Sequence, residues 1–74
     1  MDEYQKERLN KLMRSQWESM QNYYRRMREN PTGMSYDHMA IRASECLGYA
    51  NGIRETCEIL GYSIHYVDGC PQIV

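Results

Sequence analysis

Residues 39–60 read MAIRASECLGYANGIRETCEIL, and this stretch decides how the rest of the chain must be arranged. Its apolar residues recur at alternating steps of four and three, a spacing that keeps them on one face of an α-helix. This first face consists of Met39, Ala43, Cys46, Ala50, Ile53, Cys57 and Leu60. A continuous face of this kind predicts a helix that packs along its whole length against a neighbour.

The same helix carries a second apolar group on its opposite side, made of Ile41, Gly48, Gly52 and Ile59. A glycine inside a helix costs about 1 kcal/mol relative to alanine, so we expect a compensating close contact. Either a partner lies against these glycines, or the chain's own C-terminal segment covers them, or the helix breaks near Gly48. The partner-binding surface predicted on this basis comprises Ile41, Glu45, Gly48, Gly52, Ile59 and Tyr66.

The N-terminal segment predicts a first helix over about residues 2–29. Asp2 and Gln5 have the spacing of a capping box. The apolar face of this helix consists of Met13, Trp17, Met20, Tyr24 and Met27, widened by Leu9, Leu12 and Tyr23. These large side chains complement the Ala and Cys residues of the second helix. Pro31 and Gly33 reverse the chain and Ser35 is the expected N-cap, so a second helix over about 35–60 runs antiparallel to the first.

Residues 62–74 predict a short C-terminal β-hairpin after a helix C-cap at Gly61. The segment from 62 to 67 alternates in polarity, and Asp68-Gly69 is typical of a type I′ turn. A two-residue loop places Tyr66 opposite Pro71 and Ile64 opposite Ile73 on one apolar face. His65 then lies on the outer face of the hairpin.

Length and composition indicate one small domain over residues 1–74 with a nearly balanced net charge of −1. A domain of this size buries only about 60% of the surface of its unfolded chain, so we expect a homodimer or a docked complex. No apolar run is long enough to cross a membrane. Three cysteines, an odd number, indicate a reducing compartment, and we expect a soluble cytoplasmic protein without membrane contact.

The residues that carry chemistry are too few and too scattered to indicate an enzyme. There is no Ser-His-Asp or Cys-His pattern with supporting context and no glycine-rich phosphate loop. Cys46 and Cys57 lie three helical turns apart, about 16 Å, which is too far for a shared metal ion or a disulfide. We expect no catalytic residue, no metal site and no cofactor.

One basic cluster near the end of the first helix deserves separate consideration, because it contains Tyr23, Arg25, Arg26 and Arg28. Aromatic and guanidinium groups together stack on bases and hold phosphates, so these residues are candidates for contact with nucleic acid or with an acidic protein. A simpler explanation is that arginines near a helix C-terminus interact favourably with the helix dipole.

The leading functional prediction is therefore a non-enzymatic protein-binding module that acts by occluding a surface of its partner. Small proteins of this kind are typical of phages and mobile elements, which use them to inhibit host proteins such as defence nucleases. The first alternative is a small nucleic-acid-binding regulator that uses Arg25, Arg26 and Arg28. The second alternative is a structural subunit that assembles only with copies of itself.

Overall fold

The computed structural model of the chain describes residues 1–30 and 36–74. It contains, in chain order, helix α1 (Glu3–Glu29), helix α2 (Tyr36–Ile59), strand β1 (Ile64–Val67) and strand β2 (Cys70–Ile73). The helices form a long antiparallel hairpin, and the strands form an antiparallel two-stranded sheet at the C-terminus. The predicted fold, a mainly α helical hairpin followed by a short β-hairpin, is confirmed.

The start of α1 has the predicted capping box. The Asp2 carboxylate accepts a hydrogen bond from the backbone N–H of Gln5 at 2.7 Å, and the Gln5 side chain accepts one from the N–H of Asp2 at 3.2 Å. Asn30 leaves the helical region with φ −140° and ψ 67°, as expected for a residue before proline. The predicted turn at Pro31 and Gly33 and the predicted N-cap at Ser35 lie outside the described residues.

The end of α2 is a Schellman motif at the predicted glycine. Gly61 has a φ of +93°, its N–H donates to the carbonyl of Glu58 at 3.0 Å, and the N–H of Tyr62 donates to the carbonyl of Cys57 at 2.9 Å. The positive φ requires glycine, because a Cβ is strained in this conformation. These bonds end α2 at Ile59, one residue earlier than expected.

The β-hairpin has the predicted turn and register. Asp68 and Gly69 both have positive φ, 53° and 82°, which is the conformation of a type I′ turn. Tyr66 lies opposite Pro71, and Ile64 lies opposite Ile73. Because the side-chain period of a strand is two, this register places all four residues on the same face of the sheet.

The hydrophobic core lies where the two helices and the hairpin meet. Met13, Cys57 and Ile73 are almost completely buried and contact one another, with Leu9, Ile53, Tyr62 and Ile64 packed around them. Further along the helix pair, the buried residues are Met20 from α1 and Met39, Ala43 and Ala50 from α2. Large residues of α1 thus pack on small residues of α2, as the two apolar faces predicted.

Three residues assigned to the apolar faces are exposed instead. Leu60 is 67% exposed, and Leu12 and Tyr24 are each 37% exposed. Leu60 follows the last residue of α2, and it lines a surface depression together with Leu12. Tyr24 lies beyond the reach of the hairpin, because the turn at Gly69 packs on Trp17, about two helical turns before Tyr24.

Candidate functional site

The β-hairpin covers only one side of the helix pair. The Ile73 N–H donates to the Asn10 side-chain oxygen at 2.8 Å, and the Asn10 amide group donates back to the Ile73 carbonyl at 3.0 Å. At the other end of the hairpin, Gly69 lies so close to Trp17 that an added Cβ would be 3.5 Å from the indole ring. These contacts tie both ends of β2 to one side of α1. Within residues 1–30 and 36–74, no second layer covers the opposite side of the two helices.

An apolar depression, which we call the helix groove, runs along this uncovered side. Its principal residues are Leu9 and Leu12 from α1, Gly48, Tyr49 and Gly52 from α2, and Leu60 from the turn after α2. It consists of two adjoining depressions of about 440 and 450 Å³ that share Met1, Leu9 and Leu60. Leu60 is 67% exposed and Tyr49 is 51% exposed. The groove therefore presents large apolar side chains to solvent.

Gly48 and Gly52 border the groove, and no contact within the described structure requires glycine at either position. A Cβ added at Gly48 or Gly52 would meet no atom within 4 Å in the described structure. The helix continues without a break from Tyr36 to Ile59, and the hairpin packs on the other side. Neither a helix break nor coverage by the C-terminal segment explains the two residues. Their effect is to leave the backbone of α2 open to close approach from outside.

The end of the groove is built by the start of the chain and the end of α2. The N-terminal ammonium group of Met1 donates a hydrogen bond to the Tyr62 hydroxyl at 2.7 Å. The capping box at Asp2 fixes the first turn of α1, and the Schellman motif at Gly61 fixes the turn that carries Leu60. Hydrogen bonds of the two helix caps thus define the shape of this end of the groove.

The structure brings together only two of the residues predicted to bind a partner. Gly48 and Gly52 line the groove. Ile41 and Ile59 are 58% and 78% exposed and share the side of α2 that carries the two glycines, but neither lines the groove.

The other two predicted residues, Glu45 and Tyr66, do not line the groove either. Glu45 is exposed on α2 and forms an ion pair with Arg42, with 3.4 Å between the charged atoms. Tyr66 is 61% exposed, but it belongs to the β-hairpin on the other side of the helix pair. A partner seated in the groove would therefore not contact Tyr66.

Sequence reasoning did not assign Leu9, Leu12 and Leu60 to a groove on the surface. A signal for this face exists in α2, because Gly48, Gly52, Thr56 and Leu60 follow one another at four-residue steps. Such a row forms a ridge or a groove on a helix surface. The contribution of α1 has no comparable signal, since Leu9 and Leu12 also fit the apolar face that packs on α2.

The basic cluster lies at the far end of α1. Arg25, Arg26 and Arg28 are exposed, whereas Tyr23 is half-buried. The Arg25 guanidinium contacts the Asn22 side chain and also lies 3.9 Å from the Glu29 carboxylate. A shallow depression of about 520 Å³ joins Arg25 and Arg28 to Tyr24. Tyr24, rather than the predicted Tyr23, is the aromatic residue available beside the arginines.

The three cysteines are free thiols in different surroundings. Burial raises the pKa of the Cys57 thiol above its ordinary value of 9.0. Burial also raises the pKa of Cys70, with a smaller opposing effect of Arg14. Both thiols are therefore protonated at neutral pH and are poor nucleophiles. Among the described residues, no three His, Cys, Asp or Glu side chains are close enough to hold a metal ion.

Comparisons of the chain with protein-family models, with curated proteins and with solved structures find no match. In the described part of the chain, neither helix combines the length and the apolar character that a membrane span requires. Evidence for function therefore comes from the surfaces of this structure alone.

Proposed function

We propose that the chain is a non-enzymatic protein-binding module that acts by occupying an apolar surface of a partner protein with the helix groove. The observation that carries the proposal is the exposure of Leu60, Tyr49 and Leu12 along the two adjoining depressions of the groove. Contiguous apolar patches of this kind mark interaction sites on small proteins more often than they mark ordinary surface.

The shape of the groove indicates what kind of partner surface fits. Gly48 and Gly52 lack side chains, so an apolar ridge or an aromatic ring can lie directly on the backbone of α2. Leu60 and Tyr49 border the same depression and provide most of the apolar area to be buried. Arg8 adds a cation beside Leu12. We therefore expect the partner to present a protruding apolar residue with an acidic or polar group next to it.

The more specific form of this proposal is an inhibitor from a phage or a mobile element that covers a working surface of a host protein such as a defence nuclease. Its support is the combination of a small chain with a groove whose shape is fixed by helix caps. An inhibitor of this kind acts by occlusion, so activity of the purified partner should fall with the fraction of partner bound.

The test compares three immobilised versions of the chain: wild type, Leu60→Lys and Val74→Lys. Leu60 lies in the groove, whereas Val74 is 54% exposed at the C-terminus, outside the groove. Lysine near the end of α2 is compatible with the helix dipole, so Leu60→Lys should remain folded. Each bait receives the same extract of the natural host, and retained proteins are quantified by mass spectrometry.

The expected result is a protein retained by wild type and by Val74→Lys, but at least about tenfold less by Leu60→Lys, as for an interface hot spot. The purified partner must then give the same ranking of the three chains in calorimetric titrations. If every retained protein binds all three baits equally, the helix groove is not the binding surface.

The alternative function is nucleic-acid binding by the basic cluster. The observation that favours it is the depression shared by Tyr24, Arg25 and Arg28, which combines a partly exposed aromatic ring with guanidinium groups. Retention on DNA and RNA is measured across a salt series for wild type and for the triple variant Arg25→Ala, Arg26→Ala, Arg28→Ala. Binding that weakens steeply with salt and is lost in the variant supports this function. Absence of binding at low salt rejects it.

The proposal also places the chain in the cytoplasm. Its support is the free state of Cys46, Cys57 and Cys70, since oxidising compartments favour disulfides. Protein isolated from its natural source with the thiols blocked at lysis should contain three free thiols after unfolding. A disulfide-linked species under these conditions would argue against a reducing compartment.

A further inference from the structure

The two edges of the β-hairpin differ in what they offer to another strand. On β2, the N–H and the carbonyl of Ile73 point away from β1 and are both bound by the Asn10 side chain. Pro71, two residues earlier, also has its backbone directed away from β1, and proline has no N–H to donate. Another strand therefore cannot pair fully with β2, because the Asn10 side chain already binds Ile73 and Pro71 has no N–H to donate.

The edge of β1 has no such protection. In an antiparallel ladder, opposite residues alternate between pairs that exchange hydrogen bonds and pairs that point their backbone groups outward. Because the backbone N–H and carbonyl of Ile73 point outward, those of Ile64, which lies opposite, also point outward. The backbone groups of Tyr66, two residues further along β1 and opposite Pro71, have the same orientation. In the described part of the chain, no hydrogen bond engages the backbone N–H or carbonyl of Ile64 or Tyr66. Two donors and two acceptors therefore form a free row along this edge.

We propose that β1 pairs antiparallel with β1 of a second copy of this chain, so that two hairpins form one four-stranded sheet. The twofold axis passes through His65. Ile64 of each copy then exchanges two backbone hydrogen bonds with Tyr66 of the other copy. All four outward groups of each strand find a partner in this register.

A second copy fits this edge because the edge is complementary to itself. Each free donor of one strand faces a free acceptor of the other, and both strands are four residues long. Ile64 lies beside Tyr66 of the other copy on the face that looks toward the helices, a favourable pairing of an aliphatic and an aromatic residue. Tyr66 is 61% exposed in the single chain although it is on this face. An isolated two-stranded sheet is marginally stable, and pairing doubles its width.

This dimer is independent of the function proposed for the helix groove. The groove lies on the side of the helix pair that the hairpin does not cover, so pairing through β1 leaves the grooves of both copies open. A four-residue strand gives a small interface, at the weak end of protein dimers. The fraction of dimer should therefore rise with protein concentration.

The first test measures molar mass by light scattering over a series from low micromolar to near-millimolar concentration. The variants are Tyr66→Pro and Tyr66→Ala, which both lack the aromatic ring. Proline at this position also removes the outward N–H, but it leaves the bonds to β2 intact, as Pro71 does on the other strand. Circular dichroism checks that both variants are folded.

The expected result is that wild type forms dimers, that Tyr66→Ala forms fewer, and that Tyr66→Pro stays monomeric. A wild-type chain that is monomeric over the whole series overturns the proposal. A folded Tyr66→Pro that dimerises as well as Tyr66→Ala also overturns it. If dimers persist in Tyr66→Pro but are lost in Leu60→Lys, the second copy occupies the helix groove instead.

The second test places a cysteine on the proposed axis, in a Cys46→Ser background that removes the most accessible natural thiol. The two copies of His65 would face each other as a non-hydrogen-bonded pair, with Cβ atoms about 4.5–5.5 Å apart, close enough for a disulfide after a small adjustment. His65→Cys should therefore cross-link on mild oxidation to a species of twice the 8.8 kDa chain mass. Gln72→Cys, which lies opposite His65 on β2 and one strand away from the axis, should not. Equal cross-linking of the two variants contradicts the register.

Discussion

The two sides of the helix pair differ in how far their apolar side chains are buried. On the side covered by the hairpin, Met13 is 0%, Ile73 is 1% and Cys57 is 3% exposed. On the open side, Leu60 is 67% and Tyr49 is 51% exposed, although both carry large apolar groups. Burial determines what a side chain contributes to folding. The covered side should therefore determine stability, and the open side should be free to bind.

The largest expected difference between the sides comes from truncating a core residue. Met13→Ala removes a fully buried side chain that contacts Cys57 and Ile73, so we expect a loss of about 2–5 kcal/mol in the free energy of unfolding. Leu60→Ala, the matched change on the open side, should alter stability by less than about 0.5 kcal/mol. Urea unfolding followed by circular dichroism measures both. Equal losses would mean that the covered side and the open side contribute equally to stability.

The next effect concerns the contact that holds the hairpin on its side. Asn10→Ala leaves the N–H and the carbonyl of Ile73 without their partner, so we expect a loss of about 1–3 kcal/mol. Asn22→Ala is the control, because Asn22 is an exposed amide on the same helix whose side chain, within the described residues, hydrogen-bonds only to Arg25. Urea unfolding should show a clear loss for the first variant and almost none for the second. A neutral Asn10→Ala would show that this amide does not fix the hairpin.

Local features of the fold were predictable because they depend on residues close together in the chain. Asp2 and Gln5 indicated the start of α1, Gly61 indicated the end of α2, and Asp68-Gly69 determined the register of the hairpin. Each depends on a few consecutive residues whose dihedral angles or side-chain bonds have strong preferences. Such preferences can be read without knowledge of the rest of the molecule.

The location of the groove was not predictable in the same way. It depends on which side of the helices the hairpin covers, and that choice involves Asn10 and Ile73, which are 63 residues apart. An asparagine on a helix is normally read as a solvent-exposed residue. Leu60 was expected in the core because its spacing fits the apolar face of α2, but no helix or strand of residues 1–30 and 36–74 covers its position. Spacing identifies a face, whereas only the tertiary contacts identify its neighbour.

The covered side should also make the fold sensitive to alkali. Burial raises the pKa of Cys57 above 9.0, so the folded chain retains this proton at pH values where the unfolded chain releases it. Stability from this group is complete below the ordinary thiol pKa and decreases as pH rises through the folded value. Urea unfolding at about pH 8 and about pH 10 should show a smaller decrease for Cys57→Ala than for wild type. Equal decreases would mean that the tyrosines and other groups account for the whole effect.

The smallest expected change in stability provides the most direct test of the central claim, that the open side exists for binding. Gly48→Ala and Gly52→Ala place a methyl group where no atom lies within 4 Å, so each should stabilise the fold by about 0.5–1 kcal/mol. The decisive measurement determines unfolding free energy and retention of the groove-dependent partner for the same variants. The account predicts greater stability together with weaker retention, because the methyl groups block close approach to α2. Greater stability with unchanged retention would contradict it.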